Sequence, residues 1–546
     1  MPDKELYFEN PVLPGFYPDP SVCRVGEDYY LVNSSFTFFP GIPLFHSRDL
    51  VNWEQLGHVL DRPGQLPLNG LSHSQGIYAP TLRWHRGTFY LVSTLIGGGG
   101  NFIVTATNPA GPWSDPVFIQ GAPGIDPSLF FEDDGRCYMM GTADVPEGGR
   151  YFGDNEIWLR ELDLNSLTLK GERYGLWRGA LKDAIWPEGP HLYKKGDYYY
   201  LLIAEGGTDY HHAVTVARSK KLIGPYEGCP SNPVLTHRHL GRKHPIVNVG
   251  HGDLVETPKG EWWITLLGSR PFGGYYRNLG RETFLAPVVW EEDWPVICPC
   301  SGKVEKRYPI PDLSQEHRLS ARKAITLHKD DGPDYVTEGF GKEEPDLIWN
   351  CMGTPEKPFW QMSSSTGALI LALKPQGLNS SQNPSFLGRR LQHINYSVRC
   401  RMGFLPETEG QWAGVAAVQS PAFHIRLEYG WEKGRTLVRL VVCEKGIEAL
   451  IAQKPLAAPS LCLRVEARGQ DYSFYYGSSG KQEDGDEGEM ARELLATGVD
   501  GRVLSTERAG GFTGAYIGVW GTSGENAPHK TAEFTAFTYR GWDRKV

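Results

Sequence analysis

The chain has 546 residues, 40% hydrophobic and 22% charged, with a formal net charge of −9. That length is more than one core supports, so two domains are expected. Acidic balance without a long basic run excludes a nucleic-acid partner, and no apolar run is long enough to cross a membrane as a helix.

Residues 1–10 read as a tail. They have neither a basic n-region nor an apolar h-region, so no secretory leader is read there. A cytoplasmic location is expected, or a secreted one if a leader has been removed. The nine cysteines are scattered through apolar strand patterns and predict buried free thiols of a reducing compartment.

From about residue 11 to 310 one pattern recurs. A short apolar strand is followed by a Gly turn and an aromatic strand. The strands open at Asp19-Pro20-Ser21-Val22, Ala79-Pro80-Thr81-Leu82, Asp126-Pro127-Ser128-Leu129, Glu188-Gly189-Pro190-His191 and His251-Gly252-Asp253-Leu254. The turns fall at Gly26, Gly87, Gly135, Gly196 and Gly260, which are 61, 48, 61 and 64 residues apart. Five units of this size predict a five-bladed β-propeller, an all-β fold. From about 325 to 546 the strands alternate without the five-fold marker, as in Thr436-Leu437-Val438-Arg439-Leu440. That half predicts a β-sandwich of jelly-roll, concanavalin-like type. Residues 310–322 read as the crossing between the two. The acidic stretch 477–489 reads as a solvated loop, because its acids do not follow EF-hand spacing.

Inner strands of a propeller meet at one mouth of its channel. The register above places Asp19, Tyr78 to Ala79, Asp126, Glu188 and His251 there. Prolines beside Asp19, Asp126 and Glu188 limit how far each carboxyl can turn away. Three carboxylates in one pocket repel each other, so one pKa is driven up while another stays low. That split supplies a general acid and a general base, as glycosidic bond hydrolysis requires. Phe36, Phe38, Phe39 and Tyr78 near the same mouth offer rings for sugar C–H faces. Arg281 could bond a substrate hydroxyl. Three rival readings fit fewer of these features: a non-catalytic carbohydrate-binding propeller, a scaffold for protein partners, and a retaining hydrolase with two acids about 5 Å apart.

The chain resembles glycoside hydrolase family 43, in its two-domain branch of β-xylosidases and α-L-arabinofuranosidases. The resemblance rests on Asn10 through Ser21, Ser35 through Gly41, His46 through Trp53, Gly76 through Pro80, Glu188 through Tyr193, Ala204-Glu205-Gly206-Gly207, Gly250-His251-Gly252, Leu279 through Thr283, and Gly510 through Gly514. It implies an exo-acting, inverting, metal-independent hydrolase. Such an enzyme would release terminal β-D-xylose or α-L-arabinofuranose from xylo-oligosaccharides or from arabinoxylan and arabinan fragments, in xylan degradation. By matching motifs, Asp19 would be the general base, Glu188 the general acid, and Asp126 the residue that orients Glu188. Phe36, Phe39, Tyr78 and Arg281 would bind substrate, and Phe512 would close one side of the pocket from the second domain. His251 stands where the family has a channel histidine, often next to calcium or water. A structural calcium is left open there, and no cofactor is required. Association into homo-oligomers is left open too. Tyr78 stands where the family has Trp, Ile125 where it has Phe, and an aromatic is missing after Gly141-Thr142-Ala143-Asp144. These departures leave the preferred pentose undecided.

Overall fold

Alternating apolar residues interrupted by glycine turns carry the N-terminal half into successive antiparallel sheets. A computed structural model describes residues 6–312, 335–340, 345–478, 491–524 and 530–543. The first sheet is formed by Ser21–Val25, Asp28–Val32, Gly41–Ser47 and Glu54–Leu60. The second is Gly76–His85, Thr88–Ile96, Gly100–Ala106 and Val117–Phe118. The third is Ile125–Phe131, Cys137–Asp144, Asn155–Asp163 and Thr168–Trp177. The fourth is Glu188–Lys195, Tyr198–Glu205, Ala213–Ser219 and Glu227–Gly228, with Leu235–Thr236 also paired to the third strand. The fifth is Val247–Glu256, Trp262–Ser269, Glu282–Glu291 and Trp294–Ile297. Short hairpins fix each register: Val25 faces Asp28 across Gly26, whose φ of 64° a side chain would resist.

The first strands of the five sheets touch in a closed circuit. The Leu82 N–H donates to Ser21 Oγ at 3.1 Å, joining the first and second sheets. His85 stacks on Phe131 at 4.4 Å, joining the second and third. The Gly189 N–H donates to Asp126 at 3.0 Å, joining the third and fourth. Tyr193 Oη donates to Asp253 at 2.6 Å, joining the fourth and fifth. Ser21 Oγ donates to the same carboxylate at 2.7 Å and closes the ring. Asp253, with no exposed surface, also receives the Val22 N–H and both terminal nitrogens of Arg83, at 2.8 and 3.0 Å. Burial opposes its charge, but Arg83, His191 and Tyr193 outweigh it and hold the carboxyl down at about 2.

The tail expected at residues 1–10 is corrected over its described part. Tyr7–Glu9 is a strand paired with Arg307–Pro309. Its Phe8 is buried against Trp263 and Tyr308, with ring centroids 6.2 and 6.1 Å away. Apolar burial, which the short polar context concealed, draws these residues in.

The C-terminal half packs two antiparallel sheets face to face. One runs Trp360–Met362, Leu369–Leu373, Lys530–Trp542, Asn395–Gly403, Ser460–Arg468, Asp471–Ser478, Glu493–Asp500, and Tyr335–Gly339 also pairs with Lys530–Trp542. The other runs Ser385–Arg390, Tyr516–Thr522, Trp412–Ser420, Phe423–Glu432, Arg435–Glu444, Ile447–Pro455. Period-two patterning does this: along Asn395–Gly403 every second residue is buried. Val398, Leu463 and Phe534 of one sheet share a core with Val415, Leu427 and Val519 of the other. Most of the expected crossing, and the acidic stretch from residue 479 on, lie outside the described residues.

The halves are fastened by backbone as well as side chains. Phe38–Phe39 pairs with Cys351–Met352 as a two-stranded sheet. Arg390 Nε donates to the Phe16 carbonyl at 2.7 Å, and Asn278 Nδ2 to that of Gly501 at 2.7 Å. Glu507 accepts from the backbone N–H and Nε of Arg277, at 2.7 and 2.5 Å. All nine cysteines are free thiols, and eight are buried.

Candidate active site

Within or just ahead of each first strand, one matched position has left-handed backbone. These are Asp19 (φ 52°), Ala79 (23°), Asp126 (54°), Gly189 (57°) and His251 (46°). For a residue with a Cβ that conformation costs about 1 kcal/mol or more. Its recurrence marks five equivalent positions around the circuit. The matched register expected from the sequence needs one correction. Glu188 lies one residue before the equivalent position, which Gly189 occupies. Gly189 cannot be otherwise: a Cβ there would sit 2.9 Å from the His251 ring.

The offset separates the three acids. Asp19 and Asp126 are buried, and Glu188 is half-buried. Asp19 accepts from Arg281 Nη1 at 2.6 Å and from Ser34 Oγ at 2.6 Å. Burial opposes its ionisation, but Arg281, His251 and Ser34 prevail and hold the carboxyl below the usual carboxylate range. Among the described residues Asp126 accepts only the Gly189 N–H, at 3.0 Å. Burial, followed by the charge of Asp19, pushes it up to about 6 against the pull of His251. Among the described residues no donor reaches the Glu188 carboxyl. Burial and the charges of Asp126 and Asp19 raise it well above the usual range. Two carboxyls within electrostatic reach of each other are thus driven in opposite directions, Asp19 toward its charged form and Glu188 toward its neutral one.

Aromatic rings form the wall. Phe36 lies 5.0 Å from Tyr78 and 6.2 Å from Phe512, which is stacked nearly parallel to it. The Arg281 guanidinium lies over both Phe36 and Phe512, at 5.6 and 5.8 Å. Phe512 comes from the sandwich and is held by the first half: its N–H donates to Ser74 Oγ at 3.2 Å, and its carbonyl accepts from Arg281 Nη2 at 3.4 Å. His73 Nε2 contacts Thr513 Oγ1 at 2.7 Å beside it.

Two expected wall residues lie elsewhere. Phe39 is buried in the core between the halves and pairs with Cys351. Phe38 stacks on Tyr516 at 3.8 Å. The pairing with Cys351–Met352 commits both residues to the junction of the halves. His251 has its ring against Gly189, within electrostatic reach of Asp19 and Asp126. Among the described residues no three His, Cys, Asp or Glu side chains converge as metal ligands.

Sequence reasoning missed four residues here. Ser34 and Thr208 bracket the Asp19–Arg281 pair, Thr208 Oγ1 accepting from Arg281 at 3.2 Å. Phe152 and Trp186 lie edge to face at 5.7 Å, 79% and 38% exposed. The polar run Asn33-Ser34-Ser35 ending an apolar strand was a usable signal for Ser34. Nothing periodic marks the other three.

Residues 8–295 match Glycosyl hydrolases family 43, and residues 337–540 match the beta xylosidase C-terminal concanavalin A-like domain. A xylosidase/arabinosidase of Butyrivibrio fibrisolvens is 42% identical over 97% of this chain and 98% of its own length. A non-reducing end alpha-L-arabinofuranosidase of Bacteroides ovatus is 37% identical over 98% of this chain and 95% of its own. The solved structure of a xylan beta-1,4-xylosidase from Bacillus halodurans superposes with a TM-score of 0.86 at 33% identity, covering 98% of this chain and all of that one.

Proposed function

The chain belongs to glycosyl hydrolase family 43, and from that premise we propose an inverting enzyme that releases a terminal pentose from oligosaccharide chain ends. Relatives named xylosidase, arabinosidase and arabinofuranosidase make β-D-xylose and α-L-arabinofuranose the sugars in question. The five sheets act as blades of a five-bladed β-propeller, a reading supported by the closed circuit of their first strands. The free thiols suit a reducing compartment.

One feature supports the mechanism: Asp19 and Glu188 lie within electrostatic reach of each other, and their pKa values are driven in opposite directions. Asp19, held charged by Arg281, takes a proton from water as that water attacks the anomeric carbon. Glu188, held neutral, gives its proton to the departing glycosidic oxygen. The two transfers are concerted in one displacement, so the configuration inverts. Asp126 keeps Glu188 protonated through its own charge and anchors the backbone at Gly189. Phe36, Tyr78 and Phe512 take the sugar's C–H faces, and the Phe512 side closes the pocket to internal chain positions.

The test is the proton spectrum of the first-formed sugar, with aryl β-xyloside and aryl α-arabinofuranoside as substrates. Inversion is expected for whichever is cleaved. A first product with retained configuration, or no cleavage of either, overturns the proposal.

A further inference from the structure

Loop 178–187 leaves the third sheet and ends at Glu188, and loop 145–154 lies across it. The two are tied together: the Trp186 N–H donates to the Gly153 carbonyl at 2.7 Å, and Tyr151 Oη to that of Ala184 at 2.9 Å. Arg150 donates twice to Asp154, at 2.9 and 3.0 Å, and Arg178 donates to the same carboxylate. On the other flank Glu205 accepts the N–H groups of Ala180 at 2.6 Å and Leu181 at 3.0 Å. Both loops are therefore preorganised.

Beside them opens a cavity of about 510 Å³ walled by Arg150, Glu156, Trp177, Arg178, Lys182 and Asp183. Residues 178–183 of the loop that ends at Glu188 line it, and the same two loops carry the exposed rings of Phe152 and Trp186, the latter two residues before Glu188. Nothing proposed so far uses either feature. The wall charges alternate in sign, so an anion would meet Glu156 and Asp183 as well as the cations. A hydroxyl both donates and accepts, and it suits such a wall. Uncovered rings suit the C–H faces of a sugar.

We infer that the cavity is a distal subsite for a neutral oligosaccharide on the leaving-group side. The chain runs from Glu188 across Phe152 and Trp186 and places a remote unit between Arg150 and Lys182. This rests on Glu188 as the acid, since that role sets the leaving group beside residue 188. The substrate class is thereby narrowed to oligosaccharides longer than two units, trimmed from the end.

The test is calorimetric binding to the full-length Glu188→Gln enzyme, using xylo- and arabino-oligosaccharides of two to five units. Each well-placed hydroxyl contact is worth a few-fold in affinity, so Kd is expected to fall about tenfold from two units to four in one series. Adding Arg150→Ala and Lys182→Ala is expected to flatten that dependence, and Phe152→Ala to weaken it about threefold. Lys182 and Phe152 are exposed, so variants at these two positions decide the matter even if loss of Arg150 loosens its loop. Affinity independent of length in both series, or a dependence that survives these substitutions, overturns the inference. Cleavage of aryl pentosides by the wild type reports separately on the proposed function, and its failure leaves the binding result standing.

Discussion

Asp253 and Glu188 are carboxylates on the first strands of neighbouring sheets, around one axis, and they are provided for in opposite ways. Asp253 receives Arg83 twice, Tyr193, Ser21 and a backbone N–H, and its pKa is driven down. Glu188 receives no donor among the described residues, sits near two further acids, and its pKa is driven up. The same fold thus gives full pairing to the carboxylate that closes the ring and withholds it from the one proposed as the general acid. A buried charge stripped of its partners is costly, and a buried acid left neutral is a reservoir for chemistry.

The contrast breaks most visibly through Glu188→Gln. On substrates with poor leaving groups kcat should drop about 10³-fold, and much less with a dinitrophenyl leaving group that needs no proton, while thermal stability is kept. Equal loss on both substrates would remove Glu188 from the acid's role. Asp253→Ala should do the reverse. It leaves Arg83 buried without its counter-charge and should cost about 3–5 kcal/mol in denaturant unfolding. A variant as stable as wild type would show that the ring closes without this cluster.

Asp126→Asn sharpens the comparison from the side of pH. The folded carboxyl sits up at about 6, above its ordinary value. The folded state therefore binds this proton more tightly, and stability is lost as pH rises from the ordinary carboxylate value through about 6. Removing the charge should stabilise the protein by about 2–3 kcal/mol at pH 8 and by nothing near pH 3.5, while activity falls. Equal gains at both pH values would refute the assigned shift. In the wild type, kcat should decline as pH falls far enough to protonate Asp19, held low, and again as it rises past Glu188, held high. Smallest is Phe512→Ala, which removes a ring from the wall and a face from Arg281. KM should rise about fivefold with kcat nearly kept, since the contact binds substrate and transition state alike.

Much of this was legible because the repeat imposes its own register. The Asp-Pro pairs at 19 and 126, and the Gly turns, announced the five sheets and two of the acids. The one-residue offset at Glu188 was written there too, in Gly189-Pro190, which aligns with Asp19-Pro20 better than Glu188 does. Phe39 misled because adjacent strand residues face opposite ways, and only the Cys351–Met352 pairing fixes which way. Phe152 was invisible because a loop ring has no period, although a ring was looked for after Asp144. The Asp19–Arg281 pair spans 262 residues, a distance over which local pattern carries no information.

That separation has a consequence for synthesis. At roughly 5–20 residues per second, Asp19 is made roughly 13–50 s before Arg281. Until Asp253 and then Arg281 are made, Ser21 and Asp19 lack these partners, so the nascent first sheet waits with one flank unpartnered. A ring joined through its first and last members can assemble only when both exist, which makes catalytic competence a late property of the growing chain.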